Sequence, residues 1–113
     1  MPTGWVLRDG DVLAAAEIAT GILDRTRGLI GRRELRGAYL LPRTRSVHSV
    51  GMRFPLDVAF LDRDLNVVDL CVLVPWRVAR PRRTARSVLE AEAGAFERWG
   101  LRVGDRLEFH ETT

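Results

Sequence analysis

The sequence predicts an α+β domain, a small and strongly bent antiparallel sheet or barrel-like β core with one main helix and a short second helix. Three observations carry this. Short β-branched runs recur between turn residues, one stretch after Thr20 has helical spacing, and 113 residues suffice for one core but not two. Bending or closing the sheet would leave no long apolar edge open. One domain over residues 1–113 is therefore expected.

The elements follow in order along the chain. Trp5-Val6-Leu7-Arg8 and Val12 to Ala19 read as two strands around Asp9-Gly10-Asp11, because Asp-Gly favours the backbone angles of a tight hairpin. Thr20 can cap a helix, and Ile22, Leu23, Leu29 and Ile30 fall near one face until Gly31 stops it. The main helix is thus expected from about Gly21 to Arg32. Tyr39 to Pro42 and Ser46 to Ser49 are short extended segments joined by a basic turn. The best-defined hairpin pairs Leu56 to Leu61 with Val67 to Val74 across the polar stretch Asp62-Arg63-Asp64-Leu65-Asn66, with both faces largely covered. Trp76 to Arg86, with five arginines and Pro81, reads as an exposed loop. Ser87 to Glu90 returns as a strand, Ala93 to Trp99 supplies one or two helical turns ending at Gly100, and Val103 to Phe109 gives a turn and a closing strand. Trp5, Phe96, Trp99 and Phe109 fall on apolar faces and are expected in the core.

Composition excludes several classes. No run approaches the roughly 18 apolar residues of a membrane span, and the first residues lack a signal-peptide pattern, so a cytoplasmic protein with no membrane partner is expected. All 18 basic residues are Arg, which lifts the pI to about 10.3 although the formal net charge is only +3. Genome composition explains that bias more simply than function does, and it supports only weak attraction to polyanions. The single cysteine, Cys71, cannot staple the fold and reads as a small core residue.

Several motifs fail on their next residue. Asp62-Arg63-Asp64-Leu65-Asn66 starts like a calcium loop, but Val67 stands where Gly is required and Leu73 where the bidentate Glu belongs. His48, His110 and Cys71 have no zinc spacing, so no metal is expected, and no phosphate or dinucleotide fingerprint calls for a cofactor. Gly28-Leu29-Ile30-Gly31 is similar to a nucleic-acid clamp, yet its Leu29 and Ile30 continue the helix stripe, so helix termination is the simpler reading.

The segment His48-Ser49-Val50-Gly51-Met52-Arg53-Phe54-Pro55-Leu56-Asp57-Val58-Ala59-Phe60-Leu61-Asp62 resembles the central signature of the family called domain of unknown function 192. The likeness extends to Thr26 through Arg32, to Val88-Leu89-Glu90, to Ala93-Gly94 and to Gly100 through Asp105, which is nearly the whole chain. The resemblance implies a small prokaryotic α+β domain and no particular activity, substrate or cofactor. Ser49 stands where relatives often have Thr.

The candidate ligand-binding residues are His48, Met52, Arg53, Asp57 and Glu90. The first four gather an imidazole, a guanidinium and a carboxylate within ten residues, around a permissive Gly51 and a Pro55 that holds Phe54 extended. The competing reading is structural, with Arg53 pairing Asp57 to orient the turn and Glu90 pairing an arginine. If the central hairpin closed on a three-residue loop, Asp57 and Asp69 would share a face. The leading expectation is a binding module for a small anionic or polar ligand at a loop and strand-end pocket. Two others stand beside it: a hydrolase-like enzyme using His48 or Asp57 with Arg53, and nucleic-acid or acidic-protein binding through the loop from Arg77 to Arg86, with Trp76 available to stack.

Overall fold

The structure is a computed structural model that describes residues 2–19 and 35–112. The main helix expected from Gly21 to Arg32, its Thr20 cap and the Gly28 to Gly31 motif lie outside the described residues. Seven strands form one sheet: β1 (Thr3–Arg8), β2 (Asp11–Ile18), β3 (Ala38–Pro42), β4 (Leu56–Leu61), β5 (Val67–Leu73), β6 (Ser87–Glu92) and β7 (Glu108–Glu111). One short helix, α1 (Ala95–Trp99), follows β6. The sheet order is β5-β4-β6-β3-β2-β1-β7.

The local chemistry of the chain accounts for most of this. Asp9 and Gly10 both take positive φ, 52° and 81°, which turns β1 directly into antiparallel β2. The central hairpin turns on Asp62, whose Oδ1 accepts the backbone N–H groups of Asp64 and Asn66, each at 2.9 Å. Slight burial works against its ionised form. Hydrogen bonds from Asn66 and Asp64, with the charge of Arg106, outweigh that and hold the Asp62 carboxyl below its usual range. The segment is a polar turn, as its sequence predicts.

β4 and β6, neighbours within the sheet, are buried on both faces. Along β4, Leu56, Val58 and Phe60 enter one core with Tyr39, Leu41, Val88 and Met52, while Ala59 and Leu61 enter a second with Leu40, Leu89, Phe96 and Leu107. The loop from Val47 to Phe54 and the buried Ala79 and Ala85 cover the first core; α1 and the C-terminal segment cover the second.

The structure corrects the expected architecture in four places. The sheet is mixed, because β2 and β3 pair in parallel; a parallel pair needs a long crossover, and the 19 residues between Ile18 and Ala38 provide it. It is also not a closed barrel. Among the described residues, its ends approach where the start of β5 meets the segment before β7: Val67 N–H donates to Asp105 O (2.7 Å), Gly104 N–H to Val67 O (2.8 Å) and Leu107 N–H to Leu65 O (2.9 Å). β7 begins later than expected, at Glu108, and its four mostly exposed residues are too few to pair along β5. Ser46 to Ser49 forms no strand, only a single bridge between His48 and Val78.

Trp5 is 45% exposed rather than core, since β1 faces it away from Val6 beside the sheet edge at β7. Cys71 is only half-buried because β5 is an edge strand. Burial nevertheless raises its thiol pKa.

Candidate functional site

Asp57 is the first of the predicted residues to be explained. Its carboxylate is 5% exposed, and Oδ2 accepts the N–H groups of Gly94 and Phe96, both at 3.0 Å. Gly94, at φ 95°, precedes α1 and has no side chain to cap it, so a carboxylate from a distant strand takes that place. The other end is held by Arg8, whose guanidinium donates to the carbonyls of Trp99 (2.6 Å) and Gly100 (3.1 Å) and to Asp105 (3.0 Å). Asp57 is thus committed to backbone donors, and its expected pairing with Arg53 does not form.

Asp57 and Asp69 do not share a face. Cα partners run Asp57↔Val72 and Phe60↔Asp69, and a bulge between Phe60 and Leu61 leaves Val68 as the extra residue. That one residue puts Asp69 on the opposite side. There Arg82 Nε donates to Asp69 Oδ2 at 2.8 Å, and the Arg82 guanidinium lies 4.2 Å from the Phe60 ring centre. The Arg82 hydrogen bond, against slight burial, holds the Asp69 carboxyl below its usual range.

Residue 49, which residue-type reasoning passed over, is the anchor of the signature loop. Ser49 is fully buried; its Oγ donates to Val74 O (2.5 Å) and accepts the Arg77 N–H (2.8 Å). Its carbonyl accepts the N–H groups of Met52 (3.0 Å) and Trp76 (2.9 Å), and its own N–H donates to Arg77 O (2.7 Å). The available signal was a small hydroxyl residue inside a loop too apolar to be solvated. Ser49→Ala should lower stability by about 1–2 kcal/mol in urea denaturation, because it removes the hydroxyl that the part-buried Arg77 N–H and the Val74 carbonyl share.

This anchoring places the other predicted residues. Met52 is buried in the core under the loop, whereas His48 and Arg53 are exposed. His48 Nδ1 accepts the Val50 N–H at 3.3 Å. Arg53 has no hydrogen-bond or ion-pair partner among the described residues.

Glu90 is the most unusual group. It sits in β6 between Tyr39 and Val58, its Cα partners on the neighbouring strands, both fully buried in the core beneath the signature loop. Paired residues on adjacent strands share a face, so the Glu90 side chain enters that core too. It is 5% exposed, and among the described residues no arginine or hydrogen-bond donor meets it, which corrects the expected ion pair. Burial pushes its pKa up to about 8. At neutral pH it is a neutral carboxylic acid, able both to donate and to accept a hydrogen bond. The next acidic residue, Glu92, is the one that pairs with an arginine, Arg98 at 2.6 Å.

The predicted residues therefore divide between the two faces of the sheet. His48, Met52, Arg53 and Glu90 belong to the signature-loop side; Asp57 belongs to the α1 side, where it lines a hollow of about 400 Å³ with Leu70, Val72, Phe96 and Glu97. Two acids in that hollow make it a poor anion site. A second hollow of about 460 Å³, lined by Asp69, Cys71, Arg80 and Arg82, lies along β5. No group of three or more His, Cys, Asp or Glu able to hold a metal occurs among the described residues.

Comparisons with known proteins agree with this picture of the fold. The family model for DUF192, described as an uncharacterised ACR, matches residues 5–109. The chain is 46% identical over 65 residues to the UPF0127 protein PF1050 of Pyrococcus furiosus, a match spanning 58% of this chain and 56% of that protein. It is 34% identical to the UPF0127 protein PYRAB11210 of Pyrococcus abyssi, covering 82% of this chain and 84% of that one. A crystal structure of a protein of unknown function from Novosphingobium aromaticivorans superposes with a TM-score of 0.76 at 24% identity, covering 96% and 84% of the two chains. Another from Sinorhizobium meliloti, provisionally named a transcription regulator, gives 0.80 at 26% identity, covering 96% and 92%.

Proposed function

The chain belongs to the DUF192 family, and from that premise we propose that it is a binding module whose ligand is held on the signature-loop side of the sheet, at Glu90. One observation carries the reading: a carboxyl buried between Tyr39 and Val58 with no partner among the described residues. Burying an acid without a charged partner costs stability, and acids with pKa values so raised concentrate at functional sites. A neutral Glu90 donates to a carboxylate, phosphate or carbonyl oxygen. Arg53, exposed on the covering loop, supplies a guanidinium for an anionic part of the same molecule. The ligand class is a small anionic or polar compound, with His48 and Met52 shaping the rim and the floor of the site.

Asp57 leaves this site, because its carboxylate serves α1 on the other face. A hydrolase-like reading, which uses His48 or Asp57 with Arg53, is thereby left with His48 alone as its acid/base. A nucleic-acid role, which the name of the Sinorhizobium protein would bring, draws on Arg77 to Arg86, where Arg82 is already held by Asp69.

The test is a thermal-shift screen of phosphates, carboxylates and polyols on the wild type, Glu90→Leu and Arg53→Ala. A ligand of this site raises the wild-type Tm, loses most of its effect with Glu90→Leu and binds more weakly above pH 8, where Glu90 ionises. If every compound that binds the wild type binds Glu90→Leu equally well, the reading is wrong.

A further inference from the structure

The turn after β5 has an unusual composition and an unusual backbone. Trp76 takes φ 64°, a left-handed conformation that a bulky side chain adopts only under constraint, and its N–H is held by Ser49 O at 2.9 Å. The side chain so positioned is 63% exposed, and Val74 (47%), Val78 (70%) and Val50 (42%) beside it are exposed as well. These residues form one patch, because the loop of Val50 is bonded to this turn through Ser49, Arg77 and the His48–Val78 bridge.

The patch is set in a strongly basic layer. The segments 42–55 and 74–86 are joined by Thr44 N–H to Arg86 O (3.0 Å), Ala79 N–H to Val47 O (2.8 Å) and Arg82 N–H to Arg45 O (3.1 Å). Together they contain eight of the 18 arginines (43, 45, 53, 77, 80, 82, 83 and 86) and none of the 15 acidic residues. With a net charge of +3 for the whole chain, this layer carries +8 and the remaining residues −5. Asp69, from β5, neutralises Arg82; among the described residues, Arg45, Arg53, Arg80 and Arg83 meet no carboxylate.

We propose that this face docks on an anionic lipid surface, with Trp76, Val74 and Val78 entering the headgroup boundary and the surrounding arginines contacting lipid phosphates. Exposed aliphatic and Trp side chains ringed by Arg match the two contributions to interfacial binding, apolar burial and attraction to anionic lipid. A nucleic-acid groove would stack its aromatic group but gains nothing from three exposed valines. The described residues contain no helix long and apolar enough to cross a membrane, which bears on spanning and not on attachment at the surface. Arg53 is common to this face and to the ligand site proposed at Glu90, whereas Trp76, Val74, Val78, Arg80 and Arg83 have no part in that site.

Sedimentation with vesicles tests the proposal. The protein should sediment with phosphatidylcholine vesicles containing phosphatidylserine and remain in solution with phosphatidylcholine alone. Trp76→Gly and the double variant Arg80→Glu/Arg83→Glu should each weaken binding at least roughly tenfold. Trp76→Gly relieves the left-handed strain, so its Tm should rise while binding falls, and a weaker interaction cannot then be ascribed to unfolding. Absence of sedimentation with the anionic vesicles, or unchanged binding by Trp76→Gly, overturns the proposal. Tighter binding to a single-stranded oligonucleotide than to the vesicles assigns the face to nucleic acid and overturns it equally.

Discussion

Stability should fall by about 4–5 kcal/mol as pH rises from about 4.5 to about 8, and Glu90→Gln should abolish the fall. The unfolded chain releases the Glu90 proton near 4.5, the folded chain only near 8, so between these values the native state binds one more proton. Stability decreases with pH wherever the folded state holds the extra proton. The contribution is complete below about 4.5, lost progressively across the window, and gone above about 8. Asp62 and Asp69 act in the opposite sense and elsewhere: with folded pKa values below 3.8, they favour the native state above that value and lose their contribution as pH falls beneath it. Urea denaturation at a series of pH values separates the two limbs. Glu90→Gln keeps the shape and cannot ionise; at pH 8 and above it should be the more stable protein. A wild-type curve flat between pH 5 and 8 would mean that the carboxyl is ionised and paired.

Asp57→Ala should cost about 3 kcal/mol, because one substitution strips the acceptor from two N–H groups, of which that of Phe96 is buried. Asp57→Asn keeps an oxygen in place and should cost about 1 kcal/mol, the difference measuring the charge on the bond. The loss should be local first. Amide exchange would quicken from Gly94 to Gly100 before it does in β4, since α1 is one and a half turns long and cannot stand without its cap. If Asp57 instead served a ligand, Asp57→Ala would leave stability intact.

The parts of the fold legible in the sequence are those that neighbouring residues decide. The Asp9-Gly10 turn, the β4–β5 hairpin over its Asp62 turn, the start of β6 and the end of α1 at Gly100 all depend on side chains within a few positions of the backbone they shape. Of the candidate residues, Glu90 and the loop from His48 to Arg53 lie on one side of the sheet, a relationship that residue types and spacing do not contain. Strand alternation puts Glu90 on one face with Arg86 and predicts an arginine partner; its actual neighbours, Tyr39 and Val58, come from two other strands. The hydrophobicity of Trp5 predicts a core position, but which side of β1 faces solvent depends on what packs against the sheet.

By itself, then, the sequence determined the family, the strands with their turns, and the loop that carries the signature, because each is written in contiguous residues. The tertiary structure alone decided which carboxylates do what. A single extra residue at Val68 separates Asp57 from Asp69 across the sheet, a glycine without a side chain leaves α1 to be capped by Asp57 from 37 positions away, and burial between two strands makes Glu90 a neutral acid. The parallel β2–β3 pairing and the open sheet belong to the same class. The physical reason is common to all of them: face, register and desolvation are set by residues remote in the chain, and a change of one position in pairing exchanges the solvent side for the core.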